Sequence, residues 1–225
     1  MYYNNIYIKL ISLACIEAGY ACATSTFINN HYYKNKKDRD FFDLITCSMK
    51  SINQVLLNQT KYSFKEISYI KVPNSTDNKH LKFELFDNMI SYHDFIDLKE
   101  DEHNKFQKLY KKLADQLIND IMKEDKIYFF RYVRNDNDLC PNEIITFYNI
   151  VNNIAQSKNN KLEFYFVILT DTKNYVLNNK LKDLKNIFFY NFLNYIDKNK
   201  DYNENIYLKI SFDYDYVNLK KLLKI

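Results

Sequence analysis

Short, nearly uninterrupted apolar runs alternate along this chain with longer stretches of helical period, and few folds accommodate that order. Ile6 to Leu13, Ile127 to Val133 and Leu162 to Leu169 are mostly β-branched or aromatic, as strands buried on both faces are. Between them, apolar residues recur at steps of three and four. Phe42, Ile45, Met49, Ile52 and Leu56 form one such face, predicting a helix from about Phe41 to Leu57. Phe106, Leu109, Leu113, Leu117 and Ile121 form a second, and Ile144, Tyr148, Val151 and Ala155 a third, with Pro141 where a first helical turn tolerates it. Strands separated by helices predict right-handed βαβ crossovers. The expected architecture is α/β: a single three-layer, doubly wound domain over residues 1–225 with a mostly parallel sheet.

The remaining stretches are less regular. Glu66 to Val72 and Leu81 to Phe86 read as strands joined by the polar loop Pro73 to Lys79, and Ile187 to Phe192 is apolar without a clear period. Ile206 to Phe212 reads as a late strand and Asp213 to Leu223 as a terminal helix of the same domain.

Composition excludes several functions. A single glycine, Gly19, among 225 residues cannot supply a G-x-x-x-x-G-K-[ST] or G-x-G-x-x-G phosphate cradle, so triphosphate and Rossmann dinucleotide sites are not expected, and no cofactor is implied. His31, His80, His93 and His103 form no H-x-x-x-H pair and the four cysteines no C-x-x-C, so no metal site is expected. Those cysteines, Cys15, Cys22, Cys47 and Cys140, are too scattered for a disulfide scaffold, which fits a reducing, cytoplasmic setting. Leu10 to Ile16 has the outline of a signal core, but Glu17 follows at once and the positive flank is one lysine. No run approaches the roughly 20 apolar residues of a membrane helix. The net charge of +4 is small and mixed, and Lys108 to Lys112 fall on the polar side of a helix, so nucleic acid is not a favoured partner. Oligomeric state is not readable from the chain.

In open α/β sheets, ligands bind beyond the carboxyl ends of the strands. Three stretches qualify. The first follows the opening strand and carries Cys15, Glu17, Gly19 and Cys22; the second is Arg131 to Asp138; the third is Thr170-Asp171-Thr172. Gly19 is either a turn residue that needs φ > 0 or a survivor of a glycine-poor composition. Cys22, at the start of an expected helix Ala21 to Ile28, has a helix N-terminus available to favour its thiolate. Cys47, within the helix expected at Phe41 to Leu57, reads as a small core residue. His93, in Tyr92-His93-Asp94-Phe95-Ile96, is either a general base near neutrality or a partly buried structural histidine.

The order of Ile11-Ser12-Leu13, a glycine three residues before a cysteine, Phe42-Asp43-Leu44, His93-Asp94-Phe95 and Ile127-Tyr128-Phe129-Phe130-Arg131 resembles that of a family of papain-like cysteine peptidases. Its pattern is a strand ending Ser-Leu-Gly-x-x-Cys, then Pro-Phe-Asp-Trp, His-Asp-Phe and a strand ending Phe-x-Arg. The resemblance covers about residues 6–170. Ala14 stands where the pattern has its glycine, Phe41 where it has Pro, and Leu44 where it has Trp. Either Gly19 and Cys22 are the displaced pair or Cys15 is the counterpart; the glycine-to-cysteine interval and the distance to Phe42-Asp43 favour Cys22. The resemblance implies thiolate attack by Cys22 on a peptide or other acyl carbonyl, with His93 moving the proton and Asp94 or Asp43 orienting the imidazole. Gly19 and Arg131 take substrate-binding or supporting places. A non-catalytic interaction protein that keeps the fold is the alternative.

Overall fold

The structure is a computed structural model and describes residues 2–3, 6–13, 39–43, 45–58, 67–71, 79–87, 89–91, 100–133, 140–158, 161–170, 181, 184–191 and 223. In chain order its elements are β1 (Tyr2–Tyr3), β2 (Ile6–Leu13), β3 (Ile45–Thr46), α1 (Met49–Asn58), β4 (Ile67–Lys71), β5 (Lys79–Phe83), β6 (Ile90–Ser91), α2 (Glu100–Lys123), β7 (Lys126–Val133), α3 (Pro141–Gln156), β8 (Glu163–Thr170) and β9 (Ile187–Asn191).

The three apolar runs become neighbouring strands of one sheet, ordered β1-β2-β7-β8-β9. β2, β7, β8 and β9 are parallel, and only the two-residue β1 is antiparallel to its neighbour. The α/β expectation therefore holds. Side chains alternate across each strand, and both faces are buried. Ile11 and Leu13, Ile127, Phe129 and Val133, and Phe164, Phe166 and Ile168 share one core with α1, α2 and α3. Leu10, Tyr128, Phe130, Val167 and Leu169 point the other way and are as thoroughly excluded from solvent. On that side the Tyr128 hydroxyl donates to the Leu223 carbonyl at 2.9 Å. The many aromatic residues meet edge to face within the core, as Phe147 does against Phe129 and Phe166, with centroids 5.1 and 5.6 Å apart.

α2 and α3 bury the faces that their period marks. The run Phe41 to Leu57 corrects the expectation of one helix. Residues 41–43 form a turn, Ile45–Thr46 is a strand, and the helix begins only at Met49. The cause is local polar chemistry. The Asp40 N–H donates to Asp43 Oδ2 at 2.7 Å and the Asp43 N–H to the Asp40 carbonyl at 3.3 Å, closing a turn that competes with the helix. Ser48 then caps α1, its Oγ accepting the Ser51 N–H at 3.2 Å. Phe42 and Ile45 are nevertheless fully buried, so the period located core residues correctly while misnaming the element.

A second, antiparallel sheet has the order β3-β6-β5-β4. It contains the two strands expected near residues 66–86, and its Leu81 and Phe83 join the same core. Ile187–Asn191, without clear period in the sequence, is the strand β9 beside β8. The expected strand Ile206 to Phe212 and helix Ala21 to Ile28 lie outside the described residues, as does the terminal helix apart from Leu223, which is helical. No described helix is long and apolar enough to cross a membrane.

Candidate functional site

The register of the parallel strands sets which residues share the carboxyl edge. Leu13, the last residue of β2, is level with Arg131 of β7 and through it with Ile168 of β8; Val133 is level with Thr170. The three stretches singled out at strand ends thus begin along one edge of one sheet.

Arg131 dominates that edge. It lies between Phe129 and Val133 on the helix-covered face and is 0% exposed. Its Nη2 donates to the Cys47 carbonyl at 3.2 Å. A guanidinium out of contact with water is too costly to keep unless its donors are engaged. Cys47 is buried as expected, but it precedes α1 instead of lying within it. Two residues earlier, Ile45 pairs with Ser91, and Thr46 pairs with Ile90. The α1 start is tied to the same sheet by Ser51, whose Oγ donates to the Asp87 carbonyl at 2.6 Å.

Asp43, the other described site residue, is 4% exposed and belongs to the turn with Asp40. Asp40 in turn faces Lys9, whose Nζ lies 3.7 Å from Asp40 Oδ1 and 3.1 Å from Asp120 Oδ2. Lys9 is level with Ile127, near the amino end of β7, so this ion cluster sits at the opposite edge from Arg131. Glu124 beside it has its carboxyl pushed above the usual range, first by burial and then by the Asp120 charge.

Gly19, Cys22, His93 and Asp94, with Cys15, lie outside the described residues. The elements that lead to them are described: β2 runs into the stretch with Cys22, and β6 ends at Ser91, two residues before His93.

The Lys9 cluster and the role of the Cys47 carbonyl escaped sequence reasoning. Lys9 carried a usable signal, a charge inside an otherwise apolar strand. The carbonyl carried none, since any residue supplies one. Among the described residues no group of three or more His, Cys, Asp or Glu is placed to hold a metal ion. Two open depressions lie away from this edge. One, of about 460 Å³, is on the exposed side of α2 around Lys108 and Lys112; the other, of about 320 Å³, is at the amino end of β8 beside Tyr148 and Asn186.

Comparison of the chain with protein-family models, with curated proteins and with solved structures finds no match.

Proposed function

We propose that the chain is a cysteine peptidase or a related thiol hydrolase or acyltransferase, with Cys22 as nucleophile, His93 as general base and a carboxylate orienting the imidazole. One observation supports this reading above the others. Arg131 touches both the end of β2, through its register with Leu13, and the start of the second sheet, through the Cys47 carbonyl. The strand pair that follows, Ile45 with Ser91, carries the chain toward His93. The segments bearing Cys22 and His93 therefore follow β2 and β6, whose partner strands β7 and β3 are linked through the buried Arg131 and the Cys47 carbonyl. Asp94 or Asp43 supplies the carboxylate that would orient the imidazole of His93. The thiolate would attack an acyl carbonyl while His93 takes the thiol proton and later returns it to the leaving group. A reducing, cytoplasmic setting suits a nucleophile that must stay a thiol.

The test is labelling with an iodoacetamide probe across a pH series, in the wild type and in Cys15→Ala, Cys22→Ala, Cys47→Ala and Cys140→Ala. Fast labelling at neutral pH should disappear in Cys22→Ala alone. Loss in Cys15→Ala would move the nucleophile there. Labelling no faster than that of the exposed Cys140 would refute the reading and favour a non-catalytic interaction protein.

A further inference from the structure

We propose that Arg131 is a positioning residue that locks the second sheet to the carboxyl edge of the parallel sheet. The proposal rests on the thiol-hydrolase reading for its consequence, though not for its geometry. Arg131 is wholly buried at the level of Leu13, and its guanidinium holds the Cys47 carbonyl. β3 is only two residues long and ends one residue before Cys47. Its partner β6 is also two residues long, so this ladder has little strength of its own. A charge-assisted hydrogen bond immediately beyond such a short pair fixes it where the ladder cannot. The bond comes from near the carboxyl end of a strand that is paired on both sides. Arg131 thereby sets one distance between the end of β2 and the end of β6, from which the Cys22 and His93 segments depart. Methionine would fill part of the space and hold nothing; lysine would keep the charge and one donor group but lose the planar fork.

Amide hydrogen exchange on the full chain, read by mass spectrometry, tests the lock directly in the wild type, Arg131→Met and Arg131→Lys. Exchange in peptides covering 45–47 and 90–91 should accelerate about tenfold or more in Arg131→Met, as loss of a buried charged donor implies, while β8 stays protected. Arg131→Lys should fall between, and it decides the matter if Arg131→Met does not fold. The labelling rate of Cys22 should fall in the same order, with its pH profile displaced toward that of an ordinary thiol. Unchanged exchange at β3 and β6 in a folded variant overturns the lock. So does loosening spread equally over β8. If the wild-type Cys22 labels no faster than an ordinary thiol, the thiol-hydrolase reading fails, and the exchange pattern still judges Arg131.

Discussion

Replacing Lys9 by methionine keeps most of the aliphatic stem and removes the ammonium. In the folded protein that ammonium lies 3.1 Å from an Asp120 oxygen and 3.7 Å from an Asp40 oxygen, and the three side chains are 13%, 16% and 5% exposed. At an effective dielectric constant of about 20, each contact represents a gross attraction of about 4–5 kcal/mol. Desolvation of the three groups cancels much of that sum, but taking away Lys9 removes a partner shared by the buried Asp40 and the half-buried Asp120, and breaking a buried pair costs about 3–5 kcal/mol in comparable sites. We expect Lys9→Met to lose about 3 kcal/mol, at the lower bound because Asp120 retains some solvent. Equilibrium urea unfolding followed by far-UV circular dichroism measures it: with a slope of about 2–3 kcal/mol per molar, the midpoint falls by about 1–1.5 M. Asp120→Asn closes a double-mutant cycle, in which the double variant should lose less than the two singles together by about 2 kcal/mol. A single-variant loss below about 1 kcal/mol, or a coupling within about 0.5 kcal/mol of zero, would refute the assignment of Lys9 as the shared cation of this cluster.

Three other outcomes are expected. Glu124 holds its proton more tightly folded than unfolded, since burial and then Asp120 raise its carboxyl above the ordinary value of 4.5. Its favourable contribution is therefore present below that value and is lost as pH rises through the folded pKa, so Glu124→Gln should be more stable than wild type at pH 7 and equal to it near pH 4. Melting curves at the two pH values check this, and a gain that persists in acid contradicts it. Phe147→Ala removes a fully buried ring packed edge-on against Phe129 and Phe166 and should cost about 3–5 kcal/mol in urea unfolding. A loss under about 1.5 kcal/mol would mean that the core around α3 is looser than its geometry. Asp94→Asn or Asp43→Asn should slow labelling of Cys22 while the variant still melts cooperatively, and unchanged labelling in both would refute an orienting carboxylate at either position.

β2, β7, β8, α2 and α3 were legible because each is long enough to show its pattern: eight residues in each of the three strands, sixteen in α3, twenty-four in α2. Periodicity failed where elements are short. β3 and β6 have two residues each, too few for any period, and the run from Phe41 to Leu57 kept a helical spacing of apolar residues across a turn, a strand and a helix. Burial alone was selecting those residues, and burial does not specify backbone geometry. Asp43 and Ser48 do, through side chains that accept from the Asp40 and Ser51 N–H groups and compete with the helix ladder, and each was visible in the sequence as a residue type that favours turns and caps. At the candidate site, the Phe-x-Arg strand end drew attention to Arg131, yet one of its partners is a backbone carbonyl, that of Cys47, 46 residues before His93. No residue type announces such a partner.

Lys9 and Arg131 together explain why residues 40–47 lie where they do. Each is a cation placed in a strand that is otherwise apolar, and each strand is buried on both faces. A charge in that position is strongly unfavourable unless a fixed acceptor meets it. In β2 the acceptors are carboxylates of Asp40 and Asp120; in β7 one acceptor is the carbonyl of Cys47. The two levels, Ile127 and Leu13 with Arg131, are four residues apart along the sheet, roughly 13 Å. The chain from Asp40 to Cys47 meets one of these cations at each end, with the turn at residues 41–43 and the strand Ile45–Thr46 between them. Any substitution that restores helical continuity at Asp40 and Asp43 should pull the Cys47 carbonyl away from Arg131.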